Sequence, residues 1–404
     1  MSIQRTSLWV AGAVLVAMFT AGCTSSGGSD AGTASSAASA ASVLPSQSEP
    51  LTPPPGEGPL PGATADRLQA VIDDWVAGEN NIGITAAVVT GDGTWQGAAG
   101  QDGAGADLVP ESAMAIASIT KTFVAAEVMR LSGLGLVDLD APVTDYVSVP
   151  FDTNDATVRQ VLGMRSGFPL DPFDAMVESA AEDLDRSWTT AEAIALADAD
   201  GPRQGSLGTL DYNNLDYLVL GQMVEQVTGE PLAVALTRDL IEPAGLERVW
   251  VQDAQQPEPP LTVSEEDPDL DIVDDGPWLP SRSMASLAGP AGGIAADAPS
   301  IARWGYLLYG GHVIDSALVE QMTAPSWGGA LVWYGLGSGG FVEGKDVFVG
   351  HSGDILTYHG ELVMATADNV SIAVLVPAPA RFSPEVDVET FDVHDLLLEA
   401  LTQR

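Results

Sequence analysis

Ser118 and Lys121 are the residues whose types and spacing most directly indicate covalent chemistry. Lys121 is one of only two lysines, with Lys345, among 404 residues. On a helix, side chains three positions apart share a face, so the Ser118 hydroxyl and the Lys121 amine would come within hydrogen-bonding distance. This pair would be a nucleophile beside a base. Another interpretation is also open, in which Ser118 only caps the helix and Lys121 extends to solvent.

The segment that follows Ser118 is apolar on nearly all sides, from Ile119 to Leu131, which is typical of a buried helix. A buried amine is poorly solvated, and desolvation lowers the pKa of a lysine. Lys121 would therefore be a usable base near neutral pH. Ser118, in the first turn, would lie where the helix dipole favours developing negative charge.

Two further polar clusters could join this pair. Asp211-Tyr212-Asn213-Asn214 precedes a helical pattern over Leu215–Val227, and Gly350-His351-Ser352-Gly353 precedes strand-like segments near the carboxyl end. Taken singly, the first could be only a helix cap and the second only a turn. Their order along the chain, after Ser118 and Lys121, is the reason to consider them together as parts of one site.

Ser118-x-x-Lys121, Tyr212-x-Asn214 and His351-x-Gly353, in this order, resemble the three motifs of the serine β-lactamase and penicillin-binding superfamily. More specifically, the chain resembles the branch that contains class C β-lactamases, D-alanyl-D-alanine carboxypeptidases and related esterases. The resemblance covers residues 63–404 and includes Ala291-Gly292-Gly293 and Tyr334-Gly335-Leu336-Gly337.

The resemblance implies a role for each matching residue. Ser118 would be the acylated nucleophile, Lys121 its partner base, and Tyr212 the relay of a proton to the leaving group. The substrate-binding residues would be Asn214, His351, Ser352, Gly353 and Asp354. The backbone N–H groups of Ser118 and Asp354 would form the oxyanion hole that acyl transfer requires. The sequence leaves open whether Lys121 or a Tyr212 phenolate is the acylation base.

Strand-like segments at both ends of the globular part enclose a helical middle. The patterns predict a helix over 63–77, a hairpin over 84–98, helices and loops over 136–249, strands within 330–376 and a last helix over 392–401. We therefore expect an α/β (α+β) fold, with an antiparallel sheet flanked by N- and C-terminal helices and an inserted helical lobe. The resemblance implies a β-lactamase/transpeptidase-like fold.

The amino terminus has the layout of a secretory signal: Arg5, an apolar run from Leu8 to Phe19, and then Thr20-Ala21-Gly22-Cys23. The run is too short to span a bilayer comfortably. Cys23 is the only cysteine, and the segment resembles the lipobox of bacterial lipoproteins, in which this cysteine is acylated. An ordinary cleaved signal with an incidental cysteine is the alternative.

We therefore divide the chain into three parts. Residues 1–22 would be a lipoprotein signal peptide, and residues 23–62 a flexible tether rich in Ser, Ala, Gly and Pro. Residues 63–404 would form a single serine hydrolase domain. A lipid on Cys23 would anchor this secreted domain to the outer face of the bacterial cell membrane.

The chain carries 56 acidic and 15 basic residues, a formal net charge of −41. This charge repels phosphate backbones, so nucleic acid is excluded as a partner. Within an acidic stretch over 257–280, Asp267, Asp269 and Asp271 have the spacing that opens a calcium loop, but Ile272 stands where glycine is needed. A solvated loop is the better interpretation, and no metal or other cofactor is implied.

The leading hypothesis is a serine hydrolase that forms an acyl-enzyme on Ser118. Its substrates would be small molecules or cell-wall peptides: D-amino-acid peptides or amides, β-lactams or carboxylic esters. Carboxypeptidase-like or esterase-like activity is favoured over class C-type β-lactamase activity, because His351 stands where many β-lactamases have lysine. An ammonium holds a substrate carboxylate better than a mostly neutral imidazole does.

Two hypotheses assign the protein to other functional classes than the serine hydrolases. One is a catalytically silent cell-wall-binding or regulatory protein, which the unusual Thr357-Tyr358-His359 segment motivates. The other is metal-dependent hydrolysis, for which the four histidines offer only a loose spacing between His351 and His359. The oligomeric state is not predicted.

Overall fold

The computed structural model of the chain describes residues 48–78, 82–264, 276–329, 332–343, 346–378 and 393–402. The predicted signal peptide, Cys23 and the aspartates of the calcium-like spacing lie outside the described residues, so lipid anchoring stays a prediction. Within the described part of the chain, no helix is both long and apolar enough to cross a bilayer.

The strands of the described residues form two sheets. They are β1 (Gly83–Val89), β2 (Thr94–Gly100), β3 (Met114–Ala115), β4 (Val249–Val251), β5 (Ile294–Ala296), β6 (Trp327–Gly328), β7 (Val332–Tyr334), β8 (Gly339–Glu343), β9 (Asp346–Ile355), β10 (Tyr358–Ala365) and β11 (Val370–Val376). The large sheet is antiparallel, with the order β2-β1-β11-β10-β9-β8-β7-β6. Strands from the two ends of the domain are therefore neighbours in it. A small sheet has the order β3-β5-β4.

Helices cover both faces of the large sheet. They are α1 (Gly62–Val76), α2 (Thr120–Gly133), α3 (Val158–Leu162), α4 (Phe173–Glu182), α5 (Thr190–Ile194), α6 (Asn214–Thr228), α7 (Leu232–Leu236), α8 (Arg282–Gly292), α9 (Ala298–Tyr309), α10 (Ser316–Thr323) and α11 (Val393–Thr402). The first and last, α1 and α11, pack together beside the sheet, while α9 packs on β1, β10 and β11.

Residues along β1 alternate between two hydrophobic cores. Ala86 and Val88 join the core that contains α1 and α11, whereas Ala87 and Val89 join the larger core with α2, α6 and α9. This is the period of two that a strand imposes on its side chains. Because both faces are covered, every residue of β1 is buried, and so is every residue of β11.

The predicted fold class is confirmed. The antiparallel sheet carries α1 and α11, and the helices α3 to α7 are inserted between its first and last strands. Gly350–Gly353 precedes β10 and β11, as expected, but it is itself part of β9 and not a turn. These glycines allow close packing rather than a turn, because a Cβ on Gly350 would stand 1.8 Å from the Leu362 carbonyl oxygen.

Residues 48–62 are the described part of the predicted tether, and they contact the domain. The backbone N–H and the hydroxyl of Ser48 donate to the Asp315 carboxylate at 2.8 and 2.9 Å. Further along, Leu60 is buried and its N–H donates to the Thr94 carbonyl at 2.8 Å. Contacts with the domain therefore begin by Ser48, before the boundary predicted at residue 63.

Gly305 of α9 tests how closely this helix must approach the sheet. A Cβ at this position would stand 2.5 Å from Leu362 Cδ1 and 2.5 Å from Ser371 Oγ. Gly→Ala in an open helix stabilises by about 1 kcal/mol. For Gly305→Ala we expect the opposite sign, a loss of about 1–3 kcal/mol in the free energy of unfolding, because the added methyl overpacks the core.

Chemical denaturation monitored by circular dichroism would measure this change. Gly62→Ala is the matched control, since a Cβ on Gly62, at the start of α1, meets nothing within 4 Å. It should be neutral or slightly stabilising. Equal destabilisation by both substitutions would contradict the proposed close packing of α9.

Candidate active site

Ser118 lies in a 3₁₀ turn, Ala117–Ile119, that leads directly into α2. Ala117 has a φ of +45°, in the left-handed region that a residue with a Cβ rarely adopts. Strand β9 passes very close to this turn, since a Cβ on Gly353 would stand 2.2 Å from the Ile116 carbonyl oxygen and 3.0 Å from the Ser118 nitrogen. The surrounding structure therefore fixes the backbone that presents Ser118.

Lys121 is fully buried, and its amine is the centre of a polar cluster. Its Nζ lies 2.9 Å from Ser118 Oγ, 2.8 Å from Asn214 Oδ1 and 2.6 Å from the Ala291 carbonyl oxygen. Burial lowers the pKa of Lys121 to about 7, although the negative charges of Asp171 and Asp216 oppose this effect. The interpretation in which Lys121 extends to solvent is wrong.

Asp171, just before α4, is a site residue that no sequence motif indicated. Its Oδ2 accepts hydrogen bonds from the backbone nitrogen of Asn214 at 2.9 Å and from Asn214 Nδ2 at 2.8 Å. These bonds fix the amide so that Asn214 Oδ1 faces Lys121. Burial raises the pKa of Asp171, while the hydrogen bond from the Asn214 backbone and the charge of Lys121 oppose the rise.

Asp216, on α6, lies behind the amine in a fully buried position. Its Oδ1 accepts a hydrogen bond from Ser166 Oγ at 2.5 Å. Burial raises the pKa of Asp216 well above its ordinary value, and the hydrogen bond opposes this only in part. The charge of Asp216, like that of Asp171, favours the protonated form of Lys121.

Tyr212 contacts both members of the Ser118–Lys121 pair. The centre of its ring lies 5.0 Å from Lys121 Nζ, and the nearby Ser118 hydroxyl acts on the pKa of its phenol. Burial raises the pKa of Tyr212 well above its ordinary value, and Ser118 opposes the rise. Tyr212 is therefore a neutral phenol at physiological pH, with a proton to donate.

His351, on β9, stands opposite Tyr212, with their ring centres 6.2 Å apart. Its Nδ1 lies 2.5 Å from the Ser352 carbonyl oxygen, and its Nε2 lies 3.2 Å from the Tyr334 hydroxyl. Nδ1 must therefore donate and Nε2 accept. Burial, with a smaller effect of the nearby Lys121, lowers the pKa of His351 to about 3. The imidazole is neutral and does not supply a fixed positive charge.

A cleft of ≈ 330 Å³ opens above Ser118. Most of its lining is apolar and includes Phe173, Met176, Ala288 and Ile355. The polar residues in its lining are Ser118, Asn214 and Asp354. Of the residues predicted to bind substrate, Asn214 and Asp354 therefore line this cleft, whereas His351 and Gly353 lie buried beside it and Ser352 is half-buried on the same strand.

A serine held against a buried lysine, beside a tyrosine and an asparagine, is the arrangement that a serine acyl-transfer site requires. Residues 68–391 match the model of the Beta-lactamase family. The chain therefore belongs to the Beta-lactamase family, as its motifs indicated.

Two curated proteins and one solved structure illustrate the similarity. The chain is 27% identical over 252 residues to the unguisins hydrolase ungD of Aspergillus violaceofuscus (56% of this chain, 42% of that protein). It is 30% identical over 206 residues to the esterase EstB of Burkholderia gladioli (45% of this chain, 50% of that protein). It thus matches about half the length of these relatives.

The solved structure is a D-amino acid amidase from Ochrobactrum anthropi SV3, complexed with D-phenylalanine. It superposes with a TM-score of 0.72 at 22% identity and covers 84% of this chain and 98% of that one. This similarity shows that the two chains share a fold.

The close approach of β9 to Ser118 generates a prediction. In Gly353→Ala, the new methyl would overlap the Ile116 carbonyl and displace either β9 or the nucleophile turn. A shift of about 1 Å in a reacting group can lower the rate by about 10²-fold, and we expect kcat/KM for an activated ester to fall by at least that factor. Steady-state kinetics on protein shown to be folded by circular dichroism would measure it. Activity close to that of the unsubstituted protein would contradict the proposed role of this contact.

Proposed function

We propose that the protein is a serine hydrolase that cleaves ester or amide bonds through an acyl-enzyme on Ser118. The observation that carries the proposal is the buried Lys121 amine, which lies 2.9 Å from Ser118 Oγ and has a pKa of about 7. Near neutral pH a large fraction of this amine is unprotonated and can accept the hydroxyl proton. The neutral state of Tyr212 favours Lys121 over a tyrosine phenolate as the base.

Acylation would move two protons. Ser118 Oγ gives its proton to Lys121 Nζ and attacks the substrate carbonyl carbon, so that the carbonyl oxygen becomes an oxyanion. Tyr212 gives its phenolic proton to the leaving oxygen or nitrogen as the scissile bond breaks, and it recovers a proton from Lys121. Water then attacks the acyl-enzyme by the reverse proton transfers and restores the Ser118 hydroxyl.

Backbone N–H groups of Ser118 and Asp354 would hold the oxyanion. Gly353 supports this assignment, because the missing side chain lets β9 come against the Ser118 nitrogen. The N–H of the next residue, Asp354, is thereby carried close to the nucleophile. Two donors fixed in this way stabilise charge that develops only in the transition state.

The cleft favours substrates without a free carboxylate. Among the described residues that line it, none is a permanent cation: Lys121 lies beneath Ser118 with a lowered pKa, and His351 is neutral. Esters and amides with apolar acyl groups therefore fit better than penicillins or peptides that end in a carboxylate. The names of the relatives, an esterase and an amidase, support the same choice.

A binding protein without turnover is the less favoured function. The unusual segment that motivated it, Thr357-Tyr358-His359, packs inward: Thr357 lies 2.5 Å from Ser264 Oγ, and the Tyr358 hydroxyl donates to the Thr262 carbonyl. Meanwhile the amine of the base, Lys121, lies 2.9 Å from the Ser118 hydroxyl and 5.0 Å from the centre of the Tyr212 ring. A site kept only for binding has no need of that contact.

Intact-mass analysis tests the nucleophile. After exposure to a p-nitrophenyl ester, the unsubstituted protein should gain the mass of one acyl group, whereas Ser118→Ala should gain none. Ester turnover by Ser118→Ala should fall by at least about 10³-fold. Ser352→Ala, which removes another hydroxyl near the cleft, should still form the adduct. An adduct on Ser118→Ala would contradict the mechanism.

The pH dependence of kcat/KM for an uncharged ester tests the base. Protonated Lys121 cannot accept the Ser118 proton, so kcat/KM should rise about tenfold per pH unit below pH 7 and level off above it. Lys121→Arg, which stays protonated, should abolish this rise together with most of the activity. A profile that still climbs above pH 9 would instead indicate a Tyr212 phenolate as the base.

A further inference from the structure

We propose that His359 is a positioning residue for the reaction at Ser118: from the far face of the large sheet it holds the end of β9, and its protonation sets the upper pH limit of activity. The inference rests on the proposed function, in which the backbone N–H of Asp354 is one of the two oxyanion donors. His359 would act through that donor and would not touch the substrate.

The side chain and the backbone of Asp354 serve opposite faces of the sheet. Successive side chains of a strand point to alternate faces. Gly353 faces the nucleophile turn, so the Asp354 carboxylate points to the other face, where Phe348 and Val363 join the core that contains α1 and α11. The part of Asp354 that borders the reaction cleft is therefore its backbone.

The strand register directs the Asp354 N–H away from β10. Ile355 and Tyr358 close a two-residue hairpin, and the next pair is Asp354 and His359. The closing pair of such a turn is hydrogen-bonded, and the pairs alternate along an antiparallel ladder, so Asp354 and His359 form a non-hydrogen-bonded pair. The Asp354 N–H then points toward the other edge of β9, which β8 covers only as far as Gly350.

A chain of buried ionisable side chains holds this end of β9 from behind. His359 Nδ1 lies 2.5 Å from Asp354 Oδ1, and its Nε2 faces Glu361 Oε1 at 3.8 Å. The other oxygen of Glu361 accepts a hydrogen bond from His394 Nδ1, on α11, at 3.1 Å. His359, Glu361 and His394 are almost completely buried. The chain therefore connects α11 through β10 to the last residues of β9.

The charges along this chain alternate near neutral pH. Burial alone would lower the pKa of His359, but the carboxylates of Asp354 and Glu361 raise it to about 9. Burial would raise the pKa of Glu361, but His359 and His394 lower it overall. An imidazolium therefore stands between two carboxylates, an arrangement in which the loss of one partner leaves a buried charge without compensation.

The surroundings of His359 give its proton no other assignment. The charged groups that the described residues place around it are Asp354 from β9, Glu361 from its own strand and, beyond Glu361, the α11 residues His394 and Asp395, with Asp395 Oδ1 3.4 Å from His394 Nε2. On its other side, β11 places the apolar Val376 opposite it. Above about pH 9 His359 loses its proton, and Asp354 loses its only ionic partner among the described residues.

This loss would reach the reaction through the backbone. The Asp354 side chain is 38% exposed, so without His359 its carboxylate can turn toward water, and the end of β9 is held less firmly. Loss of one oxyanion donor lowers kcat by about 10²–10³-fold. Because the donor acts on charge that develops in the transition state, we expect the effect in kcat and little change in KM.

The pH dependence of kcat for an uncharged ester is the first test. After the rise due to Lys121, kcat of the unsubstituted protein should stay level up to about pH 9 and then fall by up to about tenfold per pH unit. Asp354→Asn removes one of the two carboxylates that favour the imidazolium. It should move this fall to lower pH by about one unit or more.

His359→Gln is the second test, with His312→Gln as its matched control. His359→Gln should lower kcat at pH 7 by about 10²-fold with KM within about twofold, and it should remove the fall near pH 9. His312, on the loop between α9 and α10, also forms a hydrogen bond, 3.0 Å from Thr52 Oγ1. His312→Gln should keep kcat and the alkaline fall. Circular dichroism at each pH would show that the proteins compared are folded.

Three results would overturn the inference: a level kcat through pH 10 in the folded unsubstituted protein, an alkaline fall that Asp354→Asn leaves in place, or equal changes in His359→Gln and His312→Gln. If His359→Gln does not fold, the first two measurements still decide. If an ester acylates Ser118 and the alkaline fall is absent, only this inference is wrong. If no reagent acylates Ser118, the proposed function fails, and this inference fails with it.

Discussion

The burial of one amine is the constraint on which the rest of the site depends. An ammonium removed from water loses a large hydration energy, and Lys121 has three hydrogen-bond acceptors to replace it. Each acceptor is supplied by a different element: the nucleophile turn, the start of α6 and the end of α8. Packing these three elements around Lys121 also places the Ser118 hydroxyl against its base.

This burial makes the stability of the protein depend on pH. The unfolded chain holds a proton on Lys121 up to about pH 10.5, whereas the folded chain releases it near pH 7. Between these values the unfolded state binds more protons, so the contribution of Lys121 to folding stability increases with rising pH. At pH 7 and below, the free-energy penalty for burying the protonated Lys121 amine approaches about 5 kcal/mol. This is of the same order as the whole stability of many domains. The reactive lysine is therefore destabilising, and the two large hydrophobic cores must offset it.

The sequence predicts the local part of the site well and the long-range part poorly. Ser118 and Lys121 belong to one helical stretch, so their spacing alone places them together. Asp171 contacts Asn214 across 43 positions, and nothing near either residue encodes that contact. The same holds for Asp354 and His359, which meet because β9 and β10 pair in a particular register. The glycines of Gly350–Gly353 suggested a turn, because glycine favours turns. In the structure, their missing side chains instead let neighbouring backbone come close.

The nucleophile turn is supported by β9, a strand that comes much later in the sequence. Ser118 and Lys121 are synthesised more than 200 residues before Gly353, which packs against the strained Ala117 turn. The central strands β1 and β11 are likewise far apart in sequence, and they can pair only after β11 has been synthesised. A partly made chain therefore contains the reactive residues without the support that aligns them.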